Sequence, residues 1–352
     1  MSLLASKIIG VGSYVPPKIF KNQDLEKYME TSDEWIQTRT GIQQRHWVDF
    51  GEATATSDLA LKASEAALAN AGLAKTDLDM IILATCTPDH DIPGTACILQ
   101  HKLGLSEIPC VDLRQACSGF LYALSIADSY IQIGKYKNIL VVGAEVHSKA
   151  LNVSTAGRDT AVLFGDGAGA VIVTKADHVG GASVAVNAKN SNSKMSSQIF
   201  TVDLYAQGAF AKELWIQAPG SAFSGPRITK EMLDEGLQYP LMNGKVVFVN
   251  ATRRMSESLK ATIEKTGFQI SDIDIFFFHQ ANMRINQKVA ELMGLPESKV
   301  YSTIQKYGNT TAATIPLGMD DAYRAGILKP GMLVASAAFG AGFTWATSVW
   351  RQ

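Results

Sequence analysis

Three residue types in this chain could together run covalent acyl chemistry: the thiol of Cys117, the imidazole of His279 and the carboxamide of Asn309. Cys117 sits in Gln115-Ala116-Cys117-Ser118-Gly119-Phe120, just after the extended stretch Val111-Asp112-Leu113. That context predicts a strand, a sharp small-residue turn and then a helix, with the thiol at the helix start. The positive end of the helix dipole there would lower the thiol pKa, and the thiolate is the nucleophilic form. His279 follows the apolar run Ile275–Phe278 directly. It would stand at the end of a buried strand, where α/β folds place ligands, and a neutral imidazole donates or accepts a hydrogen bond near pH 7. Asn309, in Tyr307-Gly308-Asn309-Thr310-Thr311, offers an amide donor to a developing oxyanion. Each residue also fits a plainer role. A free Cys is often just a small buried apolar residue, a His can tie down a loop, and Asn is a preferred helix N-cap.

Other groups carry less. Phe164-Gly165-Asp166-Gly167-Ala168-Gly169 is glycine-rich but precedes a strand, whereas a phosphate-cradling loop opens a helix. It reads as a structural turn. Phe339-Gly340-Ala341-Gly342-Phe343 is similar and could set a backbone N–H against the active site. Asp89, His90 and Asp91 with Cys86 match no standard metal-ligand spacing, so no metal is expected.

These residues need a scaffold. Apolar runs of strand length recur at Met80–Ala84, 139–142, 168–173, Ile275–Phe278 and 332–336, and an N-terminal strand covers Lys7 to Val11. Runs without polar alternation suit central strands covered on both faces. Helices are predicted over 57–71 and over Asn250–Gly267, the second beginning near Thr252, and each ended by a Gly. The two halves look alike. Cys117 opens a small-residue helical stretch that runs to Gly134, and Asn309 opens one of the same length that runs to Gly326. Upstream, Leu78-Asp79-Met80 mirrors Ile273-Asp274-Ile275. The expected fold is α/β, two fused copies of one unit related by a pseudo-twofold, which would bring Cys117 and Asn309 together. The expected division is 1–178 for the nucleophile half, 179–244 for an irregular connecting or lid segment, and 245–352 for the half with His279 and Asn309. The connection includes the polar tract 190–194 and a Gly/Pro-rich stretch from Ala218 to Pro226.

Bulk properties exclude whole classes. With 352 residues, 47% hydrophobic and 18% charged, the chain can bury a large core. A net charge of −1 gives no global field for nucleic acid. Four cysteines, Cys86, Cys97, Cys110 and Cys117, show neither zinc nor disulfide-framework spacing. They read as reduced thiols, which fits the cytoplasm. No signal-peptide pattern is expected in residues 1–12, and no run approaches the roughly 20 apolar residues that span a bilayer.

Taken in order, these motifs resemble β-ketoacyl-acyl-carrier-protein synthase III, of the thiolase-like superfamily. The carriers are Thr31-Ser32-Asp33-Glu34-Trp35-Ile36 with Arg39-Thr40-Gly41-Ile42, the Cys117 motif, the 164–169 glycine run, His279-Gln280-Ala281-Asn282, the Asn309 motif and Phe339 to Trp345. The resemblance implies a five-layered αβαβα core. It also implies decarboxylative Claisen condensation of an acyl-CoA with malonyl-acyl-carrier-protein through an acyl-Cys117, initiating fatty acid synthesis without metal or redox cofactor. His279 and Asn309 would stabilise the enolate, and the backbone N–H groups of Cys117 and Ala341 a second oxyanion. Trp35, Arg39, Arg158 and Asn282 would bind CoA, Arg284 would dock the acyl carrier protein, and Ile92 and Phe339 would shape the acyl pocket. The family is a homodimer in which the residue at Ile92 enters the partner's pocket.

Three departures stand out: Ile92 where an aromatic is common, Ala341 where Gly is common, and a long 195–244 segment. Competing readings remain open. One is an acyl-CoA condensing enzyme that does not decarboxylate, with Asp91 as base, and another a ketosynthase III-like acyltransferase of specialised metabolism. A Cys/His/Asn hydrolase and a non-catalytic thiolase-fold subunit complete the set.

Overall fold

The computed structural model describes residues 3–176 and 196–352. Five strands of the first half, β1 (Ser6–Tyr14), β2 (Met80–Ala84), β3 (Cys110–Leu113), β4 (Asn138–Glu145) and β5 (Gly167–Lys175), form one sheet in the order β1-β5-β4-β2-β3. β2 is parallel to β3 and β4, while β5 is antiparallel to β4 and β1. In the second half, β6 (Gln198–Ala206), β7 (Ile275–Phe278), β8 (Val300–Tyr301), β9 (Leu333–Gly340) and β10 (Thr344–Arg351) repeat that order and those directions as β6-β10-β9-β7-β8. The duplication read from the sequence is a duplication of the fold.

Among the described residues, the helices of eight residues or more are α1 (Asp33–Thr40), α2 (Thr56–Ala71), α3 (Thr95–Lys102), α4 (Gly119–Gln132), α5 (Gly244–Lys265), α6 (Met283–Met293) and α7 (Thr314–Arg324). Strand alternation decides the layers. Met80 and Ile82 face a core shared with Ile275, Phe277 and Trp350 of the other sheet, and α4 and α7 fill this space through Phe120, Leu124, Ile315 and Met319. Ile81 and Leu83 face outward against α2 and α3, and α5 and α6 cover the outer face of the second sheet. The result is a five-layered αβαβα sandwich. β2 and β7 are buried along their whole length, which is why both read as unbroken apolar runs. Among the described residues no helix is long and apolar enough to cross a membrane.

Three expectations need correction. Helix α5 starts at Gly244, well before Thr252, because Asn243 caps it through Val246 N–H. The 179–244 segment is not irregular throughout, since β6 lies in it and pairs with β10 at the edge of the second sheet. The second copy therefore begins at Gln198 rather than at residue 245. The tract 190–194 lies outside the described residues. Finally, the repeat has another register. The turn Ala116–Ser118 precedes α4 and the turn Thr311–Ala313 precedes α7, so the counterpart of Cys117 is Ala312, not Asn309. α4 has 14 residues and α7 has 11; matching Gly134 to Gly326 carries that difference of three into the alignment.

Trp350 is fully buried between the sheets. Trp350→Ala is expected to destabilise the protein by about 3–5 kcal/mol, read as a lowered urea midpoint. A loss below about 1 kcal/mol would contradict close packing there.

Candidate active site

Cys117 lies in the middle of the turn before α4. Ala116 adopts φ 46°, a left-handed conformation that strains a residue with a side chain. β9 packs directly behind the turn: a Cβ on Gly340 would sit 2.8 Å from both Cys117 N and Cys117 Cβ. Only glycine allows that approach. Ser118 Oγ and Thr344 Oγ1, 2.7 Å apart, pin the same junction. Cys117 is half-buried, and its thiol is pushed up to about 12 by burial and by the nearby Glu145 carboxylate. This corrects the expectation of a lowered thiol. The helix start is present, but desolvation and a negative neighbour oppose ionisation there.

His279 continues the pairing of β7, its N–H donating to Ala337 O at 2.9 Å. The ring is buried, which pulls its pKa down to about 3 and keeps it neutral. Nδ1 lies 2.7 Å from Thr314 Oγ1 at the first position of α7. The Thr314 hydroxyl donates to Thr311 O at 3.1 Å, so its oxygen accepts from Nδ1–H. Nε2 then carries a lone pair, and it is buried without a hydrogen-bond partner.

Asn309 is held from both sides. Its N–H donates to Leu163 O at 2.8 Å, and its C=O accepts from Gly165 N–H at 3.0 Å. Gly165 must be glycine, because a Cβ there would lie 2.3 Å from Tyr307 O. The glycine-rich run is thus a structural turn that clamps Asn309. Asn309 Oδ1 accepts from Thr311 N–H at 2.8 Å, which leaves Nδ2 to face elsewhere. Asn309 does not cap α7; Ala313 occupies that position. A continuous set of contacts therefore runs from Cys117 through Gly340 and β9 to His279, then through Thr314 and Thr311 to Asn309.

Two buried residues escaped the sequence reading. Glu145 ends β4, and its carboxylate accepts from Cys86 N–H, Thr87 N–H and Thr87 Oγ1–H at 3.0, 3.1 and 2.7 Å. Burial pushes it up to about 7. His147 Nε2 lies 2.6 Å from Thr311 Oγ1, and burial pulls that imidazole down to about 3. A lone Glu closing an otherwise apolar strand was the available signal.

The remaining candidates fall into groups. Arg39 and Arg158 lie 4.4 and 4.8 Å from the Trp35 ring. Asn282 caps α6 through Arg284 N–H and donates to Arg39 O at 2.9 Å, so these four residues are brought together. Exposed Arg284 lines a cleft of about 300 Å³ with Asn282, Lys245 and Phe248. Phe339 is buried against Phe343 and Trp345. Ile92 is 87% exposed, so Ile92 and Phe339 do not share a pocket within one chain. Asp91 is paired with Arg227 at 3.0 Å. Among the described residues no three His, Cys, Asp or Glu side chains gather as metal ligands.

Residues 111–207 match the sequence profile of 3-oxoacyl-[acyl-carrier-protein] synthase III, and residues 263–352 match the profile of its C-terminal part. The β-ketoacyl-[acyl-carrier-protein] synthase III of Caldanaerobacter subterraneus subsp. tengcongensis is 42% identical over 346 residues, covering 98% of this chain and 97% of the relative. The chain belongs to the β-ketoacyl-acyl-carrier-protein synthase III family. Among solved structures, the synthase III of Aquifex aeolicus superposes with a TM-score of 0.84 at 39% identity, covering 99% of this chain and 100% of that one. The synthase of Thermus thermophilus gives 0.85 at 37%, covering 98% and 99%.

As a β-ketoacyl-acyl-carrier-protein synthase III family member, the chain is a condensing acyltransferase. Within that family frame, Gly340→Ala is expected to cost about 1–3 kcal/mol by overpacking and to displace Cys117. A lowered melting temperature together with slowed alkylation of Cys117 checks this. An unchanged protein would contradict the close contact.

Proposed function

We propose that the chain condenses an acyl-CoA primer with malonyl-acyl-carrier-protein, giving 3-oxoacyl-acyl-carrier-protein, CoA and CO₂, and so initiates fatty acid synthesis in the cytoplasm. The observation that carries this reading is the buried, unpartnered Nε2 of His279, in one contact set with Cys117 and Asn309.

The steps follow from those groups. His279 Nε2 takes the Cys117 proton, and the thiolate attacks the acyl-CoA carbonyl. The N–H groups of Cys117 and Ala341 receive the oxyanion. The CoA thiolate leaves and regains the proton from His279. Malonyl-carrier protein then enters, its carboxylate departs as CO₂, and the electron pair moves onto the thioester as an enolate. After CoA leaves, the imidazole exchanges its proton from Nδ1 to Nε2 through water, and Asn309 Nδ2–H and His279 Nε2–H then donate to that oxygen. Thr314 serves both tautomers, because its hydroxyl can accept from Nδ1–H or donate to a bare Nδ1. The carbanion attacks acyl-Cys117, and the released thiolate takes a proton from water. Decarboxylation supplies the carbanion, so the steps written need neither a strong base nor a metal or redox cofactor.

Trp35, Arg39 and Arg158 offer an aromatic face and two guanidinium groups to the CoA nucleotide, and Asn282 lies beside them for the pantetheine arm. Arg284 and Lys245 give the cleft mouth a positive charge suited to an acidic carrier protein. We further propose a homodimer in which Ile92 caps the partner's acyl pocket. Its 87% exposure and the edge position of β3 in its sheet support that reading.

Intact-mass analysis after incubation with a panel of acyl-CoAs is expected to show a one-acyl adduct that Cys117→Ala abolishes. Asn309→Ala should keep the adduct but slow condensation about 10²–10³-fold, while His279→Ala slows both half-reactions. The proposal fails if no adduct forms, or if product appears from acyl-CoA alone without CO₂ release.

A further inference from the structure

We propose that His147 is a positioning residue for condensation: by holding the Thr311 hydroxyl it fixes the direction in which Asn309 presents its amide. His147 stands just past β4, buried, and its Nε2 lies 2.6 Å from Thr311 Oγ1. Glu145 Oε2 is 3.8 Å from the same nitrogen, beyond hydrogen-bond reach, so the hydroxyl is its close polar partner. Burial keeps the ring neutral, and a neutral imidazole fits either sense of a hydrogen bond to a hydroxyl. Thr311 in turn donates its N–H to Asn309 Oδ1 at 2.8 Å. With Oδ1 taken, Nδ2 is the end of the amide left for substrate.

Thr311 needs such a hold. Its φ of 49° lies in the left-handed region, where a β-branched side chain is strained. The N–H stands on one side of the N–Cα bond and the hydroxyl on the other. Relaxing φ must therefore swing either the N–H off Asn309 Oδ1 or the hydroxyl off His147, and the two hydrogen bonds together lock the torsion. The Thr311 carbonyl has its own anchor at the start of α7, where it accepts from Thr314 N–H and, at 3.1 Å, from Thr314 Oγ1–H. That carbonyl carries the link through Thr314 to His279, so the His147 bond bears on Asn309 and leaves His279 in place. The His147 ring also lies on Phe164, with centroids 4.6 Å apart. Phe164 is followed by Gly165, whose N–H holds the Asn309 carbonyl at 3.0 Å. His147 thus supports Asn309 twice, at the side chain through Thr311 and at the main chain through Phe164.

This role rests on Asn309 donating to the enolate, as proposed above, and it splits the two half-reactions. His147→Phe keeps a ring against Phe164 but cannot bond the hydroxyl, and Thr311→Val keeps the branched side chain without the hydroxyl. Each is expected to acylate Cys117 within about twofold of the native rate and to slow condensation by up to about 10²-fold. His147→Gln, which returns a polar group near the Nε2 position, and Thr311→Ser, which returns the hydroxyl, should recover most of that loss. In an Asn309→Ala background His147→Phe should slow condensation no further, because both act through one group; a merely structural loss would add. A crystal structure of either His147→Phe or Thr311→Val is expected to show the hydrogen bond from Thr311 N–H to Asn309 Oδ1 broken. Equal loss of acylation and condensation, an additive effect with Asn309→Ala, or an intact 2.8 Å bond in those crystals overturns the role given to His147. A native protein that forms no Cys117 adduct, or an Asn309→Ala variant that condenses at the native rate, overturns instead the reading of the centre, and the crystals still decide whether His147 holds Asn309.

Discussion

The site depends on how closely the two copies of the fold approach at their helix starts. Cys117, in the turn before α4, lies against Gly340 of β9, with no room for a Cβ. Ala312, in the turn before α7, lies against Gly143 of β4, where a Cβ would come within 2.3 Å of Ala312 O. Each central strand thus backs the other copy's helix start. Ala116 and Thr311, at φ 46° and 49°, make the same left-handed step into their turns. Thr311 is β-branched, so its conformation is costly and must be held by its surroundings. Asn309 Oδ1 on its N–H and His147 on its hydroxyl hold it.

That closeness also sets the electrostatics. The same burial keeps both imidazoles neutral, holds Cys117 and Cys86 as thiols, and raises Glu145 and Asp166. The resting centre is poor in net charge. A substrate oxyanion arriving there would meet fixed dipoles rather than a mobile hydration shell, the condition under which such donors act strongly. It also explains why a helix start alone does not ionise the thiol. The dipole is worth about 0.3–1 kcal/mol at most exposed termini, less than removing a thiolate from water.

Much of this was legible in the residues. Unbroken apolar runs at Met80–Ala84 and Ile275–Phe278 marked strands covered on both faces, and His279 at the end of one of them marked the ligand side of the sheet. β6 was missed because Gln198–Ala206 is an edge strand, half exposed along its length, so its apolar residues are interrupted. The repeat register was misread because the two central helices differ in length while both stop at a glycine. Glu145 and His147 were missed for another reason. A single polar residue after an apolar run is ordinary in sequence, and its meaning comes only from neighbours such as Ala312 and Thr311, over 160 residues away in the chain.

The corrected register shows how the two junctions of a duplicated fold differ. Counting from the paired residues Met80 and Ile139 in one copy, and Ile275 and Val334 in the other, Ala84 corresponds to His279 and Glu145 corresponds to Gly340. In the first copy the residue at this strand position is a glutamate, and the facing Ala312 N–H favours its charged form. In the second it is a glycine lying against Cys117 N, and it brings no side chain to occupy that N–H. One helix start is therefore closed by protein, while the other keeps its amide for a ligand. The imidazole stands only in the copy whose strand leads to the open centre. On this view Glu145 and Gly340 are two answers to one question, whether a helix-start N–H is to be satisfied internally or kept for substrate. Three equivalent positions separate the two junctions: Glu145 against Gly340, Ala84 against His279, and Ala312 against Cys117.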